Sequence, residues 1–163
     1  MAPTILDELK IENREKILEF LIFYSRFEYA LKRTRNVKTK NGDAEANFEK
    51  FVAKNADKFN PKRTKVIEEA VNYLLEFPAK KQIVEDYQLK FVENPATQHG
   101  PIALRVFQCI RITRNNLFHG GKFPHNPAPE ISRDEKLIQY CIIALKEFLN
   151  FNGQVSSFFW EIE

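Results

Sequence analysis

Arg114, Asn115 and His119 are the residues of this chain whose types and spacing could do chemistry. RNA can be cleaved without a metal when a neighbouring 2′-hydroxyl attacks the phosphorus. One group must then take the hydroxyl proton and another must give a proton to the leaving 5′-oxygen. Histidine can do either near neutrality, because its ordinary pKa lies there. The transition state gathers negative charge on its equatorial oxygens, and a guanidinium offers a permanent charge and a planar fork of donors matched to phosphate. Asn115 carries both a donor and an acceptor, so it could orient the histidine or bond a phosphate oxygen. Five helical residues turn the chain by about 500°, which leaves Arg114 and His119 roughly 140° apart on a regular helix. They can converge only if the helix ends between or just after them, or if the partner group comes from a second subunit. Gly120-Gly121 predicts such an ending.

The surroundings favour an anionic ligand. Residues 94–129 hold no Asp or Glu, while they include Arg105, Arg111, Arg114, Lys122 and all three histidines. The net charge of +3 is too small to argue nucleic-acid binding by itself, so the distribution carries this expectation. Within the window, Arg111, Asn116 and Lys122 flank the pair and are the candidate RNA contacts. A helix C-terminus with a capping histidine and a surface arginine would be the plain structural alternative.

The elements that must position these residues read as helices. The chain has 163 residues, enough for one domain spanning 1–163, and 44% are hydrophobic, including 15 Phe, so a sizeable core can form. Five Gly and eight Pro, the latter mostly between periodic segments, favour an all-α fold, an up-and-down bundle of four to five main helices. Ile17, Phe20, Leu21, Tyr24, Phe27 and Leu31 recur at 3/4 spacing and predict a first helix from Thr4 or Glu12 to about Arg35. Glu28 falls at the edge of that stripe. A short helix is predicted over Asp43–Asp57, and a further one opening at Pro61 and broken by Phe77-Pro78. Residues 82–91 fit either a helical turn or an extended piece. Pro101 opens the helix that carries the motif. Ser132 and Glu135 have capping-box spacing, predicting that the last long helix starts there. That helix is apolar on many sides and belongs in the middle of a bundle or in a subunit interface. The tail Phe158-Phe159-Trp160 must dock on something.

Cys109 and Cys141 lie in apolar stretches and read as buried small hydrophobes of a reducing compartment. No Cys/His spacing suggests a metal site, and no cofactor motif is present. Residues 1–16 are laced with charge, which argues against a cleaved signal peptide, and no uncharged apolar run approaches the ~18 residues of a membrane span. A cytoplasmic protein with no membrane partner is expected.

The string Arg114-Asn115-Asn116-Leu117-Phe118-His119-Gly120-Gly121-Lys122 resembles the Arg-polar-x-x-x-His signature of HEPN domains (higher eukaryotes and prokaryotes nucleotide-binding), and the Apea-like branch in particular. The Phe27-Glu28-Tyr29-Ala30-Leu31 stretch of the first helix and the long apolar helix after the motif agree with that likeness. Residues 36–95 match nothing specific. The resemblance implies a bundle of four or five helices, a homodimer whose two motifs meet in a cleft, and a metal-independent endoribonuclease of toxin–antitoxin, phage-defence or RNA-processing type. It implies Arg114, Asn115 and His119 as catalytic residues and, less directly, Glu28 as a polar helper. RNA, a second copy, and an antitoxin or nucleotidyltransferase are the partners it implies. Some members keep the fold without the chemistry, so a non-catalytic nucleotide- or protein-binding module is the alternative, and a helical structural protein is the plainest one.

Overall fold

A computed structural model describes residues 14–118 and 129–161 of the chain. Its element order is α1 (Arg14–Lys32), β1 (Val37–Lys40), β2 (Asp43–Ala46), α2 (Phe48–Lys54), α3 (Lys65–Glu76), β3 (Lys81–Glu85), β4 (Gln88–Val92), α4 (Ile102–Phe118), α5 (Pro129–Leu149) and α6 (Gly153–Trp160), with single 3-10 turns at Ala56–Lys58 and Pro95–Thr97. The molecule is mostly helical, as expected, but it is not purely all-α: two antiparallel hairpins interrupt the helices.

The first hairpin pairs Lys40 with Asp43 around Asn41-Gly42, both at positive φ (52° and 88°). That is the backbone a two-residue hairpin turn requires, and Asn-Gly supplies it at little steric cost. The helix expected over 43–57 is therefore corrected: Asp43–Ala46 is a strand, and α2 starts only at Phe48, with the Asn47 side chain accepting from Lys50 N. The second hairpin resolves residues 82–91, which fitted either form. It turns at Asp86-Tyr87, again with both φ positive.

Two helix starts also differ from expectation. Pro61 lies before α3, not within it; Thr64 is the N-cap, its hydroxyl accepting from Ile67 N at 3.2 Å. Ser132 lies inside the last long helix, not at its cap, since the described part of that helix already begins at Pro129. The first helix stops at Lys32, short of Arg35.

The core is aromatic. Phe20, Phe27, Phe51, Phe107 and Phe148 are each less than 2% exposed. Phe27 meets Phe48 and Phe51 edge-on at 5.5 and 5.7 Å, and Phe48 stacks on Phe107 at 5.0 Å, so α1, α2 and α4 share one aromatic cluster. As its apolar circumference requires, α5 runs against α1, α3 and α4. The tail docks too: Phe159 of α6 packs on Phe23 of α1 at 4.5 Å, while the Arg26 guanidinium donates to the carbonyls of Phe158, Phe159 and Glu161. Cys109 and Cys141 are buried. No helix of the described residues is long and apolar enough to cross a membrane.

Candidate functional site

The described part of α4 ends at Phe118, the residue before His119. His119, Gly120, Gly121 and Lys122 lie outside the described residues, so the geometry concerns the arginine side of the motif.

Arg114 is held by two rings. Its guanidinium carbon stands 4.5 Å from the centroid of Phe118, one helical turn on, and 5.5 Å from that of Tyr24 on α1. Stacking of this kind contributes about 0.5–1 kcal/mol per ring at a half-exposed site and restricts the rotamers of a long side chain. Its Nη1 donates to Asn115 Oδ1 at 3.1 Å. Arg114 and Asn115 are thus brought together, and Asn115 is exposed.

Among the described residues, two buried side-chain polar atoms have no hydrogen-bond partner, Arg114 Nε and Gln108 Oε1. Both belong to α4. An unmatched buried donor or acceptor costs about 1–3 kcal/mol, and native folds carry few of them.

Around Arg114 the sequence window without acids is not without acids in space. Glu49, at the start of α2, reaches Arg111 at 2.8 Å and accepts from Gln108 Nε2 at 3.3 Å. Arg105 donates its Nε to the Thr97 carbonyl at 3.0 Å. Arg111 is therefore ion-paired, and Arg105 is engaged within the fold. The positive potential expected of this stretch is trimmed by a carboxylate from an element far away in sequence.

Glu28 lies one turn beyond Tyr24 on α1, half-buried, with Lys32 at 3.6 Å. Tyr24 senses both sides of the site. Burial pushes its hydroxyl up to about 12; the positive Arg114 opposes that rise, negative Glu28 adds to it, and Arg111 opposes it. The phenol is a neutral group throughout the physiological range and cannot serve as a base.

Asn116 does not fit the RNA contact expected of it. It is buried, and its Nδ2 donates to the carbonyl of Lys80, at the root of the β3–β4 hairpin, at 3.0 Å. The reason is helical phase: two residues past Arg114, its side chain faces the interior. Sequence reasoning missed Tyr24, Phe118, Glu49 and Gln108 as parts of this site. Tyr24 was hidden in an apolar stripe that reads as core; its spacing of four from Glu28 was the one available signal. Among the described residues no group of three His, Cys, Asp or Glu side chains could hold a metal ion.

No protein-family model, no curated protein and no solved structure matches this chain.

Proposed function

We propose that this protein is a metal-independent endoribonuclease of HEPN type, acting as a homodimer on RNA in a toxin or phage-defence setting, with an antitoxin or nucleotidyltransferase as its restraining partner. The observation that carries the reading is Arg114: a guanidinium stacked between Tyr24 and Phe118, bonded to Asn115, with a buried Nε that has no partner among the described residues, five positions before His119.

In this reading the 2′-hydroxyl gives up its proton as its oxygen attacks phosphorus, and the 5′-oxygen takes up a proton as its bond to phosphorus breaks. His119 takes part in proton transfer, Arg114 neutralises the charge gathering on the equatorial oxygens, and Asn115 keeps the guanidinium in its orientation. The products are a 2′,3′-cyclic phosphate and a 5′-hydroxyl. Lys122 contributes charge to the RNA backbone, Arg111 does so against the opposing charge of Glu49, and Glu28 acts on the site through its field at Tyr24.

The test is RNA cleavage by purified protein in EDTA. Wild type is expected to cut mixed cellular RNA, and Arg114→Ala and His119→Ala to lose about 10²–10³-fold in rate, the usual cost of removing a group that stabilises transition-state charge or moves a proton. Wild type and both variants equally inactive would defeat the reading. So would a wild type whose binding to non-cleavable RNA depends on Arg114 while no cleavage occurs; that pattern belongs to a non-catalytic binding module.

A further inference from the structure

The β3–β4 hairpin stands away from the helices with its apolar side bare. Strand alternation puts Gln82, Val84, Leu89 and Phe91 on one face, and Val84, Leu89 and Phe91 are 67%, 67% and 47% exposed. A two-stranded ribbon is marginal in water, and three or more strands are needed for a sheet to hold on its own. This ribbon is joined to the helices near its root, where Asn116 holds the Lys80 carbonyl and Ala79 N donates to Cys109 Sγ at 3.2 Å.

The turn fixes which backbone groups are paired. In a two-residue hairpin the residues flanking the loop exchange both hydrogen bonds, so Glu85, Ile83 and Lys81 point their N–H and C=O groups at β4. Gln82 and Val84 point theirs outward, along the free edge of β3. Among the described residues nothing bonds to that edge beyond Lys80. Exposed edges of this kind pair with other strands unless they are blocked.

Strand β3 reads Lys81-Gln82-Ile83-Val84-Glu85, positive at one end and negative at the other. An antiparallel copy centred on Ile83 sets Gln82 opposite Val84, both with outward groups, which is the pairing the backbone demands. It also sets Lys81 opposite Glu85, twice by symmetry, where Glu85 has Lys90 of its own hairpin as a further partner. Shifting the register by two residues either way removes every opposite-charge pair. Among the described residues no other strand offers opposite charges to itself: β1 brings lysine to lysine, β2 acid to acid, and Lys90 is the one charge of β4.

We infer that the outer edge of β3 is a self-association surface, on which a second copy of this chain pairs antiparallel about Ile83 to form a four-stranded sheet in the order β4–β3–β3–β4. The pairing gathers Val84, Leu89 and Phe91 of both copies on one face and brings the tip of each hairpin to the root of the other, beside Asn116 of the motif helix. This surface does not depend on the chain being a nuclease.

Light scattering of the full chain, with circular dichroism as the folding control, tests it. Wild type should have twice the mass of one 19.2 kDa chain. Lys81→Glu turns two cross-strand attractions into two repulsions and should weaken the dimer about tenfold. Adding Glu85→Lys to it restores opposite charges across the twofold, at the loss of the Glu85–Lys90 pair within each hairpin, and should recover part of the lost affinity. Val84→Pro removes an outward N–H without touching a β3–β4 bond, and should abolish association in a folded chain. A monomeric wild type at tens of micromolar would overturn the inference. A dimer indifferent to Lys81→Glu and Val84→Pro would overturn it equally, since the contact would then lie elsewhere, and so would a double variant that fails to recover.

Discussion

At the scale of single residues, the question is what keeps Arg114 where a phosphate could meet it. Two rings and one amide do, and they differ in what they contribute. The Tyr24 ring supplies a face; its hydroxyl, pushed up to about 12 by burial, stays protonated and supplies no proton chemistry. Tyr24→Phe should therefore keep RNA cleavage within about twofold of wild type, while Tyr24→Leu, which loses the π-face, should lower it about five- to tenfold for a stacking contribution of about 1 kcal/mol. Rates across pH should keep the same alkaline limb in wild type and Tyr24→Phe. A Phe variant as damaged as the Leu variant would show that the hydroxyl matters and the stacking account is wrong. The motif itself was legible in the sequence, because Arg, Asn and His have side chains that announce their chemistry. Its supports were not. Tyr24 and Phe118 look like any other aromatic of a helix until the fold brings them to one cation, and Glu49 reaches Arg111 from a helix 62 positions away.

At the scale of elements, the helices were readable and the hairpins were not, for separate reasons. A period of 3.6 in apolar residues marks α1 because one side of it faces the aromatic core, while α4 and α5 stand out as apolar runs because they are buried on several sides. The strands β1 and β2, Val-Lys-Thr-Lys and Asp-Ala-Glu-Ala, face no core, so they show no apolar alternation; only Asn41-Gly42 signalled a turn. The β3–β4 turn gave less still, since Asp86 and Tyr87 adopt positive φ without a glycine. What roots that hairpin is Asn116, a motif residue whose neighbours suggested RNA. Asn116→Ala would leave the Lys80 carbonyl without its protein donor and is expected to cost about 1 kcal/mol in urea unfolding. The loss should be local: amide hydrogen exchange in 81–92 should quicken more than in α3 or α5. Uniform quickening, or a fall in RNA affinity with hairpin exchange unchanged, would return Asn116 to the role its sequence position suggested.

At the scale of the whole molecule, α5 joins the rest together and carries one residue at odds with that task. Its apolar faces meet three other helices, the burial that the sequence pattern demanded. Yet Glu147 is 3% exposed, between Lys146 at the surface and Phe148 in the aromatic core. Arg63, from the segment before α3, reaches it at 2.8 Å and is itself half-exposed. Burial pushes the Glu147 carboxyl above the usual carboxylate range, and Arg63 opposes the rise without cancelling it. A carboxyl with a raised folded-state pKa favours folding in its protonated form. Its contribution is present in full below the unfolded value and is lost as pH rises through the folded one. Removing Arg63 enlarges that loss, because the buried carboxylate then loses the counter-charge that reaches it. Arg63→Ala should destabilise the protein by about 2 kcal/mol at pH 8, a discounted figure for a partner half in water, and by clearly less at pH 5. Glu147→Gln in the same background should flatten the difference between the two pH values, since the amide has no charge to bury. Thermal unfolding of the three proteins at both pH values measures this directly. A deficit in Arg63→Ala that is equal at pH 5 and pH 8 would mean that the arginine holds α5 by its packing and not by its charge.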